Sequence, residues 1–201
     1  NYYTDKEAHA LFELARQEEV AVENARLHAQ VEDNLDNLRK RAHRLASMHR
    51  MATIVSSTLD QQIVLDSSVK LLVELFQTDH SSIIIINPEH GSGHVRSEHP
   101  TLNNKSKLVF KYNPEVYRLL ESIAKEDKAL HFTPSTFGKY FVDADAQEIY
   151  ELTNVQSSLM VPMMIRDRLI GVVSVDSMKP DYEFSEGDQD TLITLASQIA
   201  M

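Results

Sequence analysis

Nine histidines, thirty carboxylates and no cysteine bound the chemistry open to this 201-residue chain. Without a thiol there are no disulfides, no thiolate catalysis, no cysteine-bound zinc and no thioether-linked chromophore. His90, His94 and His99, with Glu89 and Glu98 alongside, are the residue types of a metal site. However, a His-x3-His spacing brings two imidazoles together only on a helix, and this stretch follows the turn signals Asn87-Pro88 and Gly91-Ser92-Gly93. It reads as a polar loop, and no metal is assigned. No set of nucleophile, base and orienting group can be assembled, and there is no glycine-rich phosphate loop. The residue types therefore point to binding, not catalysis, and no enzyme activity is expected of this chain. Net charge is −10, with nine acids against eight bases up to Thr58 and 21 against 12 beyond it. An acidic body lacks the basic face that phosphate neutralisation needs, so nucleic acid is not expected as a partner.

The elements that must position such a site begin with a long helix. The first proline or glycine is Pro88, and Thr4-Asp5-Lys6-Glu7 has the form of a capping box. Leu14, Ala21, His28, Leu35, Ala42 and His49 recur every seven residues, interleaved with Val31, Leu38, Leu45 and Ala52. Such a seam, along a helix of roughly 80 Å, is the pattern of a coiled coil. The chain is expected to pair with itself as a parallel homodimer through His28, Val31, Leu35, Leu38, Ala42, Leu45, His49 and Ala52. His28 and His49 read as tolerated polar seam positions. Arg39-Lys40-Arg41 with Arg44 reads as a solvated basic face. Short alanines and the lack of a complementary flanking charge code leave the seam weakly specified, which suits a helix that transmits movement.

Past Ser57, Thr58-Leu59-Asp60-Gln61 has the form of a second capping box, opening a helix with Leu65, Val69, Leu72 and Phe76 in one stripe. Ser82 to Ile86 is a strand buried on both faces. His94 to Glu98 and Lys107 to Lys111 are weaker strands, and Asn113-Pro114 starts a helix to Glu126. Ala129 to Phe132 is a short strand, Thr133 to Val142 reads as irregular, and Asp145 to Thr153 as a short helix. Ser157 to Ile165 and Leu169 to Asp176 form a hairpin joined by Arg166-Asp167-Arg168. Ser185-Glu186-Gly187-Asp188 caps a last helix. This order describes an α+β fold on an antiparallel sheet. No apolar run reaches the ~18 residues of a membrane span. The chain opens on Asn1 and stops inside a helical pattern, as a cytoplasmic piece of a larger protein would.

There is an internal echo at an offset of 181. Tyr3-Thr4-Asp5-Lys6-Glu7 matches Phe184-Ser185-Glu186-Gly187-Asp188 in type at four of five positions. Leu11, Leu14, Ala15 and Gln17 recur as Leu192, Leu195, Ala196 and Gln198. The simplest account is that the chain begins with the closing helix of a preceding copy of the same domain.

Val155-Gln156-Ser157-Ser158-Leu159-Met160-Val161-Pro162-Met163 and Leu169 to Asp176 resemble the hairpin of the GAF family of sensory domains. Phe184 to Ala200 is similar to that family's closing helix, and residues 14–27 resemble the exit from another GAF domain. The resemblance implies residues 1–57 as a signalling helix (1–27 closing an upstream domain) and 58–201 as a GAF domain. It implies a six-stranded antiparallel sheet with the N- and C-terminal helices on one face and a roofed ligand pocket on the other. It also implies a regulatory role, passed through a dimeric helix to an output such as a histidine kinase or diguanylate cyclase. By strand alternation and this resemblance, the pocket is expected from Ser82, Ile84 and Ile86, from Ser158, Met160, Pro162 and Met164, and from Ile170, Val172, Ser174 and Asp176. Phe137, Tyr140, Gln147 and Tyr150 come from the roof, with His131 at its edge. Asp176 with His131 is the one titratable pair an enzyme could use there, and His131 the one histidine placed to ligate a haem. Of the family's cyclic-nucleotide pattern, Lys179, Phe184 and Asp188 fit while Met178 and Gln189 depart, so a cyclic nucleotide is a disfavoured ligand and the cofactor stays unassigned. The competing reading is a ligand-free dimerisation and spacer module.

Overall fold

Helix α1 runs without interruption over Asp5–Ser57, as a stretch free of proline and glycine allows. The computed structural model describes residues 5–58, 60–102, 109–112, 114–140 and 153–201. These divide into two compact units, residues 1–45 and 46–201. In the first unit the helix exposes its apolar side chains, with Val31, Leu35, Leu38 and Leu45 between 47% and 66% accessible. The ion pairs Glu23–Arg26 and Asp36–Lys40, both at 2.8 Å, lie on its surface and add little. Helices draw most of their stability from packing an apolar face, and within this unit the chain offers none to pack against.

From Ala46 the same helix belongs to the second unit. Ser47 and Met51 are fully buried, and Met48, Ile54 and Val55 pack on the core. The seam residues His49 and Ala52 stay exposed here, so the face that docks and the seam are different stripes. Helix α2, Gln61–Phe76, follows. Its cap corrects the expected Thr58 capping box. The N-cap is Asp60, whose carboxylate accepts from the backbone N–H of Gln62 and Ile63, while Thr58 Oγ1 accepts from Asp60 N–H. The helix starts two residues later than expected because Asp60 is the side chain that reaches the free donors of the first turn.

The remaining elements in chain order are β1 (His80–Asn87), β2 (Ser92–His99), β3 (Val109–Lys111), α3 (Pro114–Lys125), β4 (Leu130–Phe132), α4 (Pro134–Tyr140), β5 (Ser157–Ile165), β6 (Arg168–Ser177) and α5 (Glu186–Ala200). The strands form one antiparallel sheet in the order β3-β2-β1-β6-β5-β4. Helix α4 corrects the irregular reading of Thr133 to Val142. Pro134 there is no breaker: it sits in the first turn, where its missing N–H costs nothing, and Phe137 N–H bonds Thr133 O at 2.9 Å. The hairpin turn is also shorter than expected. Arg168 pairs with Ile165, leaving only Arg166 and Asp167, at φ 45° and 61°, in the turn. Two left-handed residues are the geometry of a type I′ turn, which matches the twist of the strands. The expected caps at Thr4 and Asn113 and most of the helix Asp145 to Thr153 lie outside the described residues.

One face of the sheet carries Ile83, Leu159, Val161, Met163, Val173 and Val175, packed under α2, α5 and the end of α1. Leu72, Leu192 and Leu195 close this layer with no exposure. Each such side chain contributes about 1.5–3 kcal/mol of burial. Ser185 caps α5 in a full capping box with Asp188, as expected. Gly171 of β6 lies against the β1 backbone. A Cβ built there would stand 2.4 Å from the Ile84 carbonyl oxygen, so only glycine fits.

Candidate functional site

The opposite face of the sheet has two halves. Alternation along β1 puts His80, Ser82 and Ile84 on it, and registry pairs them with Asp176, Ser174 and Val172 of β6. Ser158 and Met160 of β5 continue the rows. Beyond them stand Phe132 and Leu130 of β4, while Glu98 of β2 pairs with Ser82 on the other side. The apolar half comprises Ile86, Met160, Leu169, Val172 and Phe132, covered by Val116 and Leu120 of α3, with Ile84 and Phe137 packed at its edge.

The polar half is a buried hydrogen-bonded row. Asp176, 6% exposed, accepts from Ser158 Oγ on one carboxylate oxygen. Its other oxygen takes Ser174 Oγ at 3.1 Å and the His80 Nδ1–H at 2.8 Å. Ser82 and Ser174 share a hydroxyl–hydroxyl bond of 3.0 Å. His80 Nε2 stands 3.5 Å from Glu98 Oε2, and the two side chains are 7% and 10% exposed. That separation is an ion pair rather than a formed hydrogen bond: His80 Nε2 and Glu98 Oε1 are both buried with no hydrogen-bond partner. Burial alone would push the His80 pKa down, but the bond to Asp176 and the two facing carboxylates outweigh it, and the imidazole is pushed up to about 9. His80 is thus an imidazolium between two carboxylates at neutral pH. No serine donates to it, so the row is not a nucleophile–base relay.

The structure gathers Ser82, Ile84, Ser158, Met160, Ser174 and Asp176 on this face, with Phe137 above its apolar half. Three expectations are corrected. His131 pairs with Leu159, so it falls on the helix-covered face, where it bonds Ser157 Oγ at 2.8 Å and meets the Phe184 ring at 6.0 Å. It is exposed and stands apart from the Asp176 row, so the pair of Asp176 with His131 does not form. Ile170 also packs on the helix-covered face and Leu169 on this one, because the bulge at Met163/Met164 shifts the hairpin register. The loop after β6 is held by Asp79, whose carboxylate accepts from Met178 N–H at 2.8 Å. Phe184 packs with the helix-covered layer and Asp188 closes the α5 capping box, so neither of these members of the cyclic-nucleotide pattern reaches the row. Gln147, Tyr150 and the Tyr140 side chain lie outside the described residues. Among the described residues no group of three His, Asp or Glu side chains is arranged to hold a metal ion.

His80 was not singled out from the sequence, and Glu98 only as part of the polar histidine loop. The signal for His80 was its spacing of two from Ser82, hidden because the strand was expected to start at Ser82. The signal for Glu98 was weaker, resting on a registry that only the β1–β2 pairing reveals.

A family model described as GAF domain matches residues 60–201. Among solved structures, the phycocyanobilin-bound GAF domain from a cyanobacterial phytochrome aligns with a TM-score of 0.63 at 19% identity, covering 78% of this chain and 91% of that one. The GAF domain of a phosphoenolpyruvate-protein phosphotransferase from Coxiella burnetii aligns with a TM-score of 0.63 at 18% identity, covering 79% and 91%. That of the Acinetobacter phosphotransferase gives 0.59 at 18%, covering 78% and 90%. No curated protein matches the sequence. Among the described residues no helix is long and apolar enough to cross a membrane.

Proposed function

The chain belongs to the GAF domain family, and from that premise we propose that it is a cytoplasmic sensory or regulatory domain, binding a small molecule without catalysis. The observation that carries this reading is the row His80, Asp176, Ser158, Ser174 and Ser82, buried beside an apolar floor on the face away from α2 and α5. A small number of placed polar groups within an apolar lining is the usual make-up of a ligand site. Buried ionisable groups cost stability, so a purely structural layer of this size gains nothing by keeping three of them. A thioether to a bilin, the ligand named for the phytochrome structure, cannot form here because there is no cysteine.

In this reading residues 58–201 are the sensing domain and α1 the connector to neighbouring domains. Two copies pair in parallel along His28, Val31, Leu35, Leu38, Ala42, Leu45, His49 and Ala52, and a ligand-dependent shift passes along the helix pair to an output domain. The exposure of Val31, Leu35, Leu38 and Leu45 supports the pairing. Sedimentation of the chain tests it: a dimer is expected, and Leu38→Asp should make it a monomer. A wild-type monomer at high micromolar concentration sinks the pairing.

The second reading, a ligand-free dimerisation and spacer module, is favoured by α3, whose Val116 and Leu120 already fill the apolar half of the face. Thermal-shift screening with cyclic nucleotides and metabolites separates the two. A saturable rise in melting temperature that Ser158→Ala and Ser174→Ala weaken supports the sensor, and no response across the screen supports the spacer.

A further inference from the structure

Two carboxylates and one imidazole make up the ionisable part of the row, and they do not balance. Two carboxyl groups, Asp176 and Glu98, face the single imidazole of His80. No lysine or arginine among the described residues pairs with either carboxylate. The imbalance has an address. Asp176 has a donor on each oxygen, from Ser158 on one and from Ser174 and His80 on the other. Glu98 is not, since Oε2 faces His80 Nε2 while Oε1 is buried and accepts nothing. A buried carboxylate oxygen without a protein donor is costly, and an N–H brought by a ligand would answer it.

Ser82 is the cross-strand neighbour of Glu98 and among the described residues bonds Ser174 Oγ alone, which leaves its oxygen able to accept an N–H. Two residues further along each strand, Ile84 and Val172 begin the apolar floor. Resting on the ligand-binding reading above, we propose that the ligand of this face carries a cationic N–H head group, an amidinium, guanidinium or ammonium, which binds Glu98 Oε1 beside Ser82 Oγ. The head group brings the row to neutrality, and the ligand's apolar part lies toward Ile84 and Val172. A planar amidinium or guanidinium suits this pair of acceptors best, because two parallel N–H groups can meet Glu98 Oε1 and Ser82 Oγ together. An anionic or purely neutral head group would leave the Glu98 charge unanswered.

Benzamidine, benzamide and benzoate are nearly isosteric and differ in head-group charge, so they isolate this claim. Thermal shift and calorimetric titration of the full chain at neutral pH should show saturable binding of benzamidine, with benzamide and benzoate at least about tenfold weaker. Glu98→Gln, which keeps the shape and removes the charge, should weaken benzamidine by about tenfold or more. If Glu98→Gln does not fold, Ser82→Ala serves in its place, and an unchanged benzamidine affinity there overturns the proposal. Equal binding of the three probes, or benzamidine binding that survives Glu98→Gln, also overturns it. Should none of the probes bind while an uncharged metabolite does, the cationic class is wrong and the sensor reading stands. Should nothing bind at all, both fall.

Discussion

The two faces of the sheet solve the same burial problem in opposite ways. On the helix-covered face the polar groups are small and bond close at hand: Ser81 Oγ donates to Ser174 O at 2.7 Å, and Ser97 Oγ to Asp66 Oδ1 at 2.6 Å. The buried layer between them is aliphatic and methionine with Phe76, and the acid and imidazole on this face, Asp66 and His131, are not fully buried. The other face buries a histidine and two carboxylates on three adjacent strands. The first face is a core in the ordinary sense, where packing density sets stability. The second gives up some of that stability and gains a charged, directional surface. A protein that needed only to fold would have two faces of the first kind.

The largest expected effect breaks both faces together. Gly171→Ala drives a methyl to 2.4 Å from the Ile84 carbonyl oxygen and 2.8 Å from Met163 Cε. The methionine can turn away, but the backbone of β1 cannot without parting from β6. We expect a loss of about 3 kcal/mol or more, and in practice little soluble protein. A variant that melts within a degree of the parent would show that the strands are not this close. Next comes Leu195→Ala, confined to the helix-covered layer, where the side chain has no exposure. Its cost should be about 2–5 kcal/mol by denaturant unfolding, and it should not depend on pH.

pH dependence is expected from the other face. The His80 pKa lies near 9 in the folded chain, above the roughly 6.5 of a free imidazole. Because folding raises it, the folded state holds the proton more tightly. The contribution is complete below about pH 6.5 and is lost as pH climbs through about 9. Its ceiling is roughly 3 kcal/mol. Melting temperature should therefore fall from pH 6.5 to 9.5, and His80→Gln should flatten that slope while lowering stability at pH 6. A slope that survives the substitution would place the titrating group elsewhere. Leu195→Ala should shift the whole curve down without changing its shape, which is the sharpest statement of how the faces differ.

How far each face could be read in advance follows from the same difference. The helix-covered side announces itself through periodicity: Leu65, Val69, Leu72 and Phe76 on one stripe, Leu192, Leu195, Ala196 and Ile199 on another. Caps such as Ser185 with Asp188 are local and were legible for that reason. The polar row is not local. His80, Glu98 and Asp176 come from three strands, and each violates the pattern that identifies a buried strand. β1 was accordingly expected to begin at Ser82, two residues late. His131 was placed on the wrong face because β4 is only three residues long and its parity comes from pairing with β5. Ile170 was misplaced by a bulge, which shifts the parity of one strand against the other and shows only in the pairing. Sites that break local rules are where sequence reasoning is expected to fail.

The smallest effect makes the finest comparison, since the same atom is removed from each face. Ser81→Ala deletes a hydroxyl that donates to a neutral backbone carbonyl, and Ser158→Ala one that donates to the Asp176 carboxylate. A neutral bond of this kind is worth about 0.5–1.5 kcal/mol net and one to a charged group about 1.5–3 kcal/mol. Beyond its size, the second loss has a different character. With Ser158 gone, Asp176 is held by Ser174 and His80 alone, so the carboxylate depends more heavily on the imidazolium. The Ser158→Ala penalty should therefore grow as pH rises past 9 and His80 loses its proton, while the Ser81→Ala penalty stays constant. Two unfolding curves measured at pH 6.5 and 9.5 for each variant decide it, and equal penalties at both pH values for Ser158→Ala would mean that the row does not act as one electrostatic unit.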